Sequence, residues 1–234
     1  MEYLLNNKSR EEIINGTILI VDKPYSWSSF DVVKKIRNTI MLNYKIKKIK
    51  VGHAGTLDPL ATGLLIICYG KMTKSIDNFS AMKKVYDGKM IIGSTTPSFD
   101  LETKPNINYP VNHIDEKLLL KTSKKFIGEI LQKPPMYSAI KKNGVRLYKL
   151  AREGKKIKRE KRKVIIEKFE ITSIKFPEVS FSVTCSKGTY IRSLVDDYGK
   201  ELLSGAHLTW LRRTNIGDFS VNNSVKVMEF IRKI

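Results

Sequence analysis

Six apolar residues stand in a row at positions 64–69, between Gly63 and Gly70. The run is far short of the ~18 residues that cross a bilayer. Without polar alternation it reads as a strand buried in a core. A chain of 234 residues with 41% hydrophobic content is long enough to build that core.

Other elements are expected on both sides of this strand. Residues 17–21 are a short apolar run closed by Asp22-Lys23-Pro24, a strand followed by a turn. Ser28 or Ser29 can cap a helix, and Phe30, Val33, Ile36 and Ile40 follow at helical spacing. Residues 42–50 carry four lysines and lead into a glycine-containing loop. A short helix is expected at 73–79 and a strand at 84–92. Residues 93–114, with Pro97, Pro105 and Pro110, read as a loop. Asp115 can cap a helix to about residue 130, stopped by Gln132-Lys133-Pro134-Pro135. Strands are expected at 164–174, 179–185 and 208–213, a helix within 188–203, and a short helix at the end. Residues 1–16 read as a loose polar arm. There is no internal repeat and no flexible linker. Irregular alternation of strands and helices predicts one α+β domain.

Charge narrows the partner. Lys and Arg total 43 against 23 Asp and Glu, a formal +20. A chain this basic is expected to meet a polyanion, nucleic acid first. Residues 141–163 hold twelve Lys or Arg and two Glu, half of the net charge. Cys68 and Cys185 form no C-x-x-C pair, so neither a zinc site nor a disulfide framework is expected. The first residues lack the apolar core of a signal peptide. A cytoplasmic protein follows, without membrane or metal, and a monomer, since no long apolar stripe is evident.

Residues 52–63 read Gly-His-Ala-Gly-Thr-Leu-Asp-Pro-Leu-Ala-Thr-Gly. Glycines permit close backbone approach, and Pro59 stiffens the chain just after Asp58. A carboxylate held on a firm loop suits catalysis. Asp before Pro is also a common turn former. A phosphate loop is excluded twice, because Leu65 and Met72 break the G-x-x-x-x-G-K-[ST] pattern. The G-x-G-x-x-G spacing is missing as well. On these grounds the loop is a candidate site of unstated chemistry.

The stretch Val51-Gly52-His53-Ala54-Gly55-Thr56-Leu57-Asp58-Pro59-Leu60-Ala61-Thr62-Gly63-Leu64-Leu65, with Gly70-Lys71-Met72-Thr73-Lys74, closely resembles the signature of the TruB family of pseudouridine synthases. Further blocks agree in order: Leu19-Ile20-Val21-Asp22-Lys23-Pro24 with Ser28-Ser29-Phe30, then Lys84-Val85-Tyr86, then Gln132-Lys133-Pro134-Pro135-Met136-Tyr137-Ser138-Ala139 with Lys142, Gly144, Arg146 and Tyr148. Lys187-Gly188-Thr189-Tyr190-Ile191-Arg192-Ser193-Leu194 and Leu211-Arg212-Arg213-Thr214 complete the set, which spans about residues 17–220. Each block alone is weak; the ordered set is specific.

The resemblance implies the pseudouridine synthase fold, α+β, with a central mixed, mainly antiparallel sheet flanked by helices and loops. It implies one catalytic domain over 1–234, with an RNA-gripping insertion at about 132–163. Many members carry a C-terminal PUA-type domain; with the chain ending at Ile234, none is expected. The implied reaction breaks the C1′–N1 bond of uridine in tRNA, at uridine 55 of the T arm, and rejoins the uracil through C5, with no cofactor. Asp58 matches the essential aspartate, acting as nucleophile or base. Arg192 matches the arginine expected to pair with that carboxylate, and Tyr190 the tyrosine that takes the C5 proton. Tyr86 matches the ring stacked on the base, and Leu211 an apolar wall of the pocket. His53 matches a histidine that fills space left by the everted uridine. Lys142, Arg146, Lys149 and Arg152 are expected on the RNA backbone, the last three on one helical face. The opposing readings are ordinary ones: a surface charge for Arg192, core aromatics for Tyr86 and Tyr190, a structural histidine, a solvated basic loop. A catalytically silent RNA-binding module on the same scaffold is the alternative to the enzyme. Met72 stands where the family pattern has a small residue.

Overall fold

The computed structural model describes residues 8–233. They form two compact units: residues 8–86 with 211–233, and Asp87–Trp210. The chain passes from one to the other within the strands Lys84–Ile92 and Ala206–Ile216. No helix among the described residues is long and apolar enough to cross a membrane.

The first unit is built around the apolar run. Thr62–Tyr69 is a strand, and Leu64 to Tyr69 are all fully buried. It pairs antiparallel with Ile18–Lys23, from Ile18 opposite Cys68 to Lys23 opposite Gly63. Val51–His53 joins it antiparallel on the other side, and Arg212 and Arg213 run parallel opposite Thr62 and Gly63. The short Val225–Lys226 is parallel to Ile18–Lys23, which makes the sheet mixed.

Period-two alternation splits the run between two cores. Leu65, Ile67 and Tyr69 pack with Leu19, Val21 and the apolar face of the helix Ser29–Asn43. Leu64, Ile66 and Cys68 pack with Ile20, Ala54 and Ile216. Each fully buried Leu or Ile contributes about 1.5–3 kcal/mol. Met72 packs against this second cluster, which accounts for a large apolar side chain at that position.

The second unit orders its strands as residues 87–92, Glu178–Cys185, Arg162–Lys175 and Gly128–Gln132. The last two contacts are antiparallel. The helix Ile191–Glu201 reaches the sheet through Tyr198, whose ring lies 5.5 Å from that of Phe169. Phe181 meets Phe169 edge-on at 5.6 Å, and Gly88 leaves room for its ring, since a Cβ there would lie 2.3 Å from Phe181. The Tyr198 hydroxyl donates to the carbonyl of Leu119 on the helix Glu116–Lys124.

The α+β class and the mixed sheet hold. Four element expectations change. Residues 10–15 form a helix rather than an arm, because Ser9 and Glu12 make a reciprocal capping box and Ile13 is fully buried; positions 1–7 of that arm lie outside the described residues. The helix capped by Asp115 ends at Lys124, not near 130. Gly128 has φ +104°, and Gly128–Gln132 pairs with Arg162–Ile166 as a strand. Within 93–114, Ser94–Thr95 and Ile107–Asn108 form a small ladder. The strand expected at 208–213 runs from Ala206 to Ile216.

Candidate active site

Asp58 sits half-buried on the loop between Val51–His53 and Thr62–Tyr69, and both of its neighbours are tied down. Ser29 accepts from the Leu57 amide at 2.8 Å and donates to the Leu57 carbonyl at 3.1 Å. Ser28 caps the helix instead, in a capping box with Asp31. On the other side, Lys23 Nζ donates to the Pro59 carbonyl at 3.2 Å, and to Pro24 and Trp27 at 3.0 and 2.5 Å. The Asp58 carbonyl accepts from the Ala61 amide, closing a turn. A loop fixed in this way holds a side chain with little freedom to lose.

Arg213 anchors the start of the same loop. It is 1% exposed, with Nε donating to the Leu64 carbonyl at 2.8 Å and Nη2 to the Gly55 carbonyl at 3.0 Å. Its guanidinium lies 5.9 Å from the centre of the Tyr86 ring, with Nη1 3.5 Å from the Tyr86 hydroxyl. The Arg213 carbonyl also lies against Gly63, where φ is +104° and a Cβ would fall 2.3 Å from it. Arg212, its neighbour, makes a two-pronged pair with Asp22 at 2.7 and 3.1 Å.

Burial brings Lys23 down to a pKa of about 8; Asp58 opposes the fall and Arg213 adds to it. Burial, with Arg213 nearby, also lowers His53, so this ring is neutral at pH 7. His53 Nδ1 is buried without a hydrogen-bond partner among the described residues. Tyr86 and Leu211 are buried, at 8% and 6% exposure. Thr62 Oγ1 reaches the Leu211 carbonyl at 3.5 Å. Thus Asp58, His53 and Tyr86 all belong to the surroundings of two buried cations, Lys23 and Arg213, within one unit.

Tyr190 and Arg192 belong to the second unit. The Gln132 side chain grips the Tyr190 backbone at both ends, accepting from its amide at 2.8 Å and donating to its carbonyl at 3.0 Å. Ser193 donates to the Lys133 carbonyl, and Arg192 Nη2 to the Tyr137 carbonyl. Arg192 is 3% exposed, which removes the surface-charge reading; it also donates to the Ser98 carbonyl and has Asp100 at 3.5 Å from Nε.

Lys142, Arg146, Lys149 and Arg152 are all exposed. The helix here, Leu147–Arg152, is only six residues long, and Arg146 is its cap. Arg152 pairs with Glu102 at 2.6 Å and lies over the Tyr148 ring. Lys142 Nζ meets the Lys158 carbonyl at 3.3 Å.

The sequence alone does not name Lys23 or Arg213 as holding the Asp58 loop, and it offers Ser29 only as an alternative helix cap. A signal for Arg213 was present: Leu211 and Arg213 share one face of a strand, so a charge two residues after an inward leucine points inward too.

Solved structures with similar folds agree with this architecture. A chain of the crystal structure of a Cbf5-Nop10-Gar1 complex superposes with a TM-score of 0.72 at 27% identity, over 95% of this chain and 55% of that one. A chain of an H/ACA RNP bound to a substrate RNA containing 2′-deoxyuridine gives 0.68 at 25%, over 94% and 53%. This chain therefore spans about half the length of those structural relatives. The fold is the pseudouridine synthase fold.

Residues 41–191 match the model of the TruB family pseudouridylate synthase N-terminal domain. A Flavobacterium johnsoniae protein named tRNA pseudouridine synthase B is 54% identical over 221 residues, 94% of this chain and 96% of its own length. A Phocaeicola vulgatus protein of the same name is 48% identical over 215 residues, 92% of each chain. The chain belongs to the TruB family and is a pseudouridine synthase.

Proposed function

We propose that the enzyme isomerises uridine to pseudouridine in tRNA, at uridine 55 of the T arm, with Asp58 as the catalytic carboxylate. The observation that carries this reading is the loop itself. A carboxylate on a loop held at Leu57 and Pro59, beside a buried lysine, has the restricted backbone freedom that favours a covalent or proton-transfer step. The ionised form is the reactive one in either role.

The remaining roles follow the family pattern. A uridine inside a folded T arm must first leave its stack, at a cost of a few kcal/mol. Tyr86 stacks on the everted base, Leu211 lines its apolar side, and His53 fills the vacated space as a neutral ring. With the C1′–N1 bond broken, the uracil turns and rejoins through C5; Tyr190 takes the C5 proton, and Arg192 serves as counter-charge to the carboxylate. The exposed cations Lys142, Arg146, Lys149 and Arg152 hold phosphates without reading sequence. A tRNA is found in the cytoplasm, where the buried cysteines Cys68 and Cys185 stay reduced.

Incubation with an unmodified tRNA transcript, followed by mapping of pseudouridine at each position, tests the reading. Pseudouridine is expected at position 55, and none in a transcript with cytidine there. Modification at other positions would overturn the assigned site. Binding without any modification would make the chain a silent RNA-binding module.

A further inference from the structure

Four lysines converge at the other end of the central strand, far from Asp58. Lys48, Lys50, Lys71 and Lys74 line a shallow cavity of about 250 Å³ whose walls contain no acidic residue. All four are exposed, and none has an ion-pair partner among the described residues. The cavity lies where Thr62–Tyr69 runs out into Gly70, whereas Asp58 precedes the start of that strand. Seven strand steps at about 3.3 Å put the two ends roughly 23 Å apart.

The backbone under these lysines is rigid. The Gly70 amide donates to the Lys50 carbonyl at 2.9 Å, and Thr73 Oγ1 donates to the Gly70 carbonyl at 2.8 Å. The end of the helix Arg10–Asn15 presses against this turn so closely that both sides need glycine. A Cβ on Gly16 would lie 1.8 Å from the Tyr69 carbonyl oxygen, and one on Gly70 2.3 Å from that of Ile14. Four uncompensated ammonium groups on a fixed frame, bare of carboxylates, form a preorganised site for phosphate oxygens.

We infer that this lysine cavity is a second contact for the RNA backbone, engaging phosphates remote from the uridine at Asp58. The inference rests on the proposed RNA substrate and assigns it a second point of attachment. Such a contact lengthens the bound RNA that the enzyme distinguishes, without touching the chemistry.

The test uses hairpins with the target loop on stems of increasing length, together with whole tRNA. Wild-type affinity should rise once the stem reaches roughly 23 Å from the target. The variant with Lys48→Ala, Lys50→Ala, Lys71→Ala and Lys74→Ala should show no such rise. Its slope of log affinity against log salt on whole tRNA should be shallower by about 3 to 4. The four Lys→Arg changes should restore both, and single-turnover rates at saturating RNA should stay at the wild-type value. Equal affinity and slope for wild type and the alanine variant would overturn the inference, as would an equal loss on the shortest hairpin. A wild type that makes no pseudouridine sinks the proposed function instead; a modifying wild type matched by its alanine variant sinks only this inference.

Discussion

The ammonium of Lys23 donates to the carbonyl of Pro59, one residue past Asp58, from a side chain with no exposed surface. Asp58 in turn opposes the loss of the Lys23 charge. One buried group thus ties down the loop that carries Asp58 and shares its ionic surroundings. A buried lysine is costly unless partnered, and here three carbonyls and a carboxylate share the task.

Lys23 leaves a mark on stability against pH. Its folded pKa, about 8, lies below the ordinary lysine value of 10.5, so between these limits the unfolded chain binds more protons. Stability due to this group therefore rises from pH 8 to 10.5, by roughly 2–3 kcal/mol in all. Urea denaturation at pH 7 through 10 should show this rise in wild type beyond that of Lys23→Met. Parallel curves for the two proteins would contradict it.

His53 gives the opposite limb. Its folded pKa is lowered by burial and by Arg213, so on acidification the unfolded chain takes up its proton first. Stability should fall as pH drops below about 6.5. His53→Gln should flatten that fall in an acid titration followed by circular dichroism.

Arg213 should be intolerant of lysine. A lysine cannot span Leu64 and Gly55 carbonyls with one planar group while lying over Tyr86. Arg213→Lys is expected to lose about 2–4 kcal/mol, read from the urea midpoint at unchanged slope. Turnover should fall with it, because Gly55 opens the loop that carries Asp58.

Arg146 and Arg152 should differ on RNA, although the sequence places them alike. Arg152 is already paired with Glu102 and laid over Tyr148, while Arg146 caps a short helix in solvent. Arg146→Ala should reduce the salt slope of tRNA binding by close to one, and Arg152→Ala by clearly less. Equal effects would show that RNA displaces Glu102.

The apolar run at 64–69, the caps at Ser28 and Asp115, and the Asp58 loop were legible because each is a local pattern. The helix at 10–15 was legible too, in Ser9 and Glu12, but polar composition masked it. The boundary after Lys124 was not: Ile127, Ile130 and Leu131 mimic a helical face until Gly128 takes a positive φ and pairing with Arg162–Ile166 decides the matter. Long-range polar contacts were the least legible. Lys23, Ser29 and Arg213 hold the loop from 28 to 158 residues away, and nothing within their own neighbourhoods names that partner.

The most direct measurement is pseudouridine formation in a tRNA transcript by Asp58→Asn, alongside its affinity for the same RNA. The substitution removes a charge and keeps the shape. The account predicts wild-type binding and no detectable pseudouridine; product formed at a rate near wild type would contradict it.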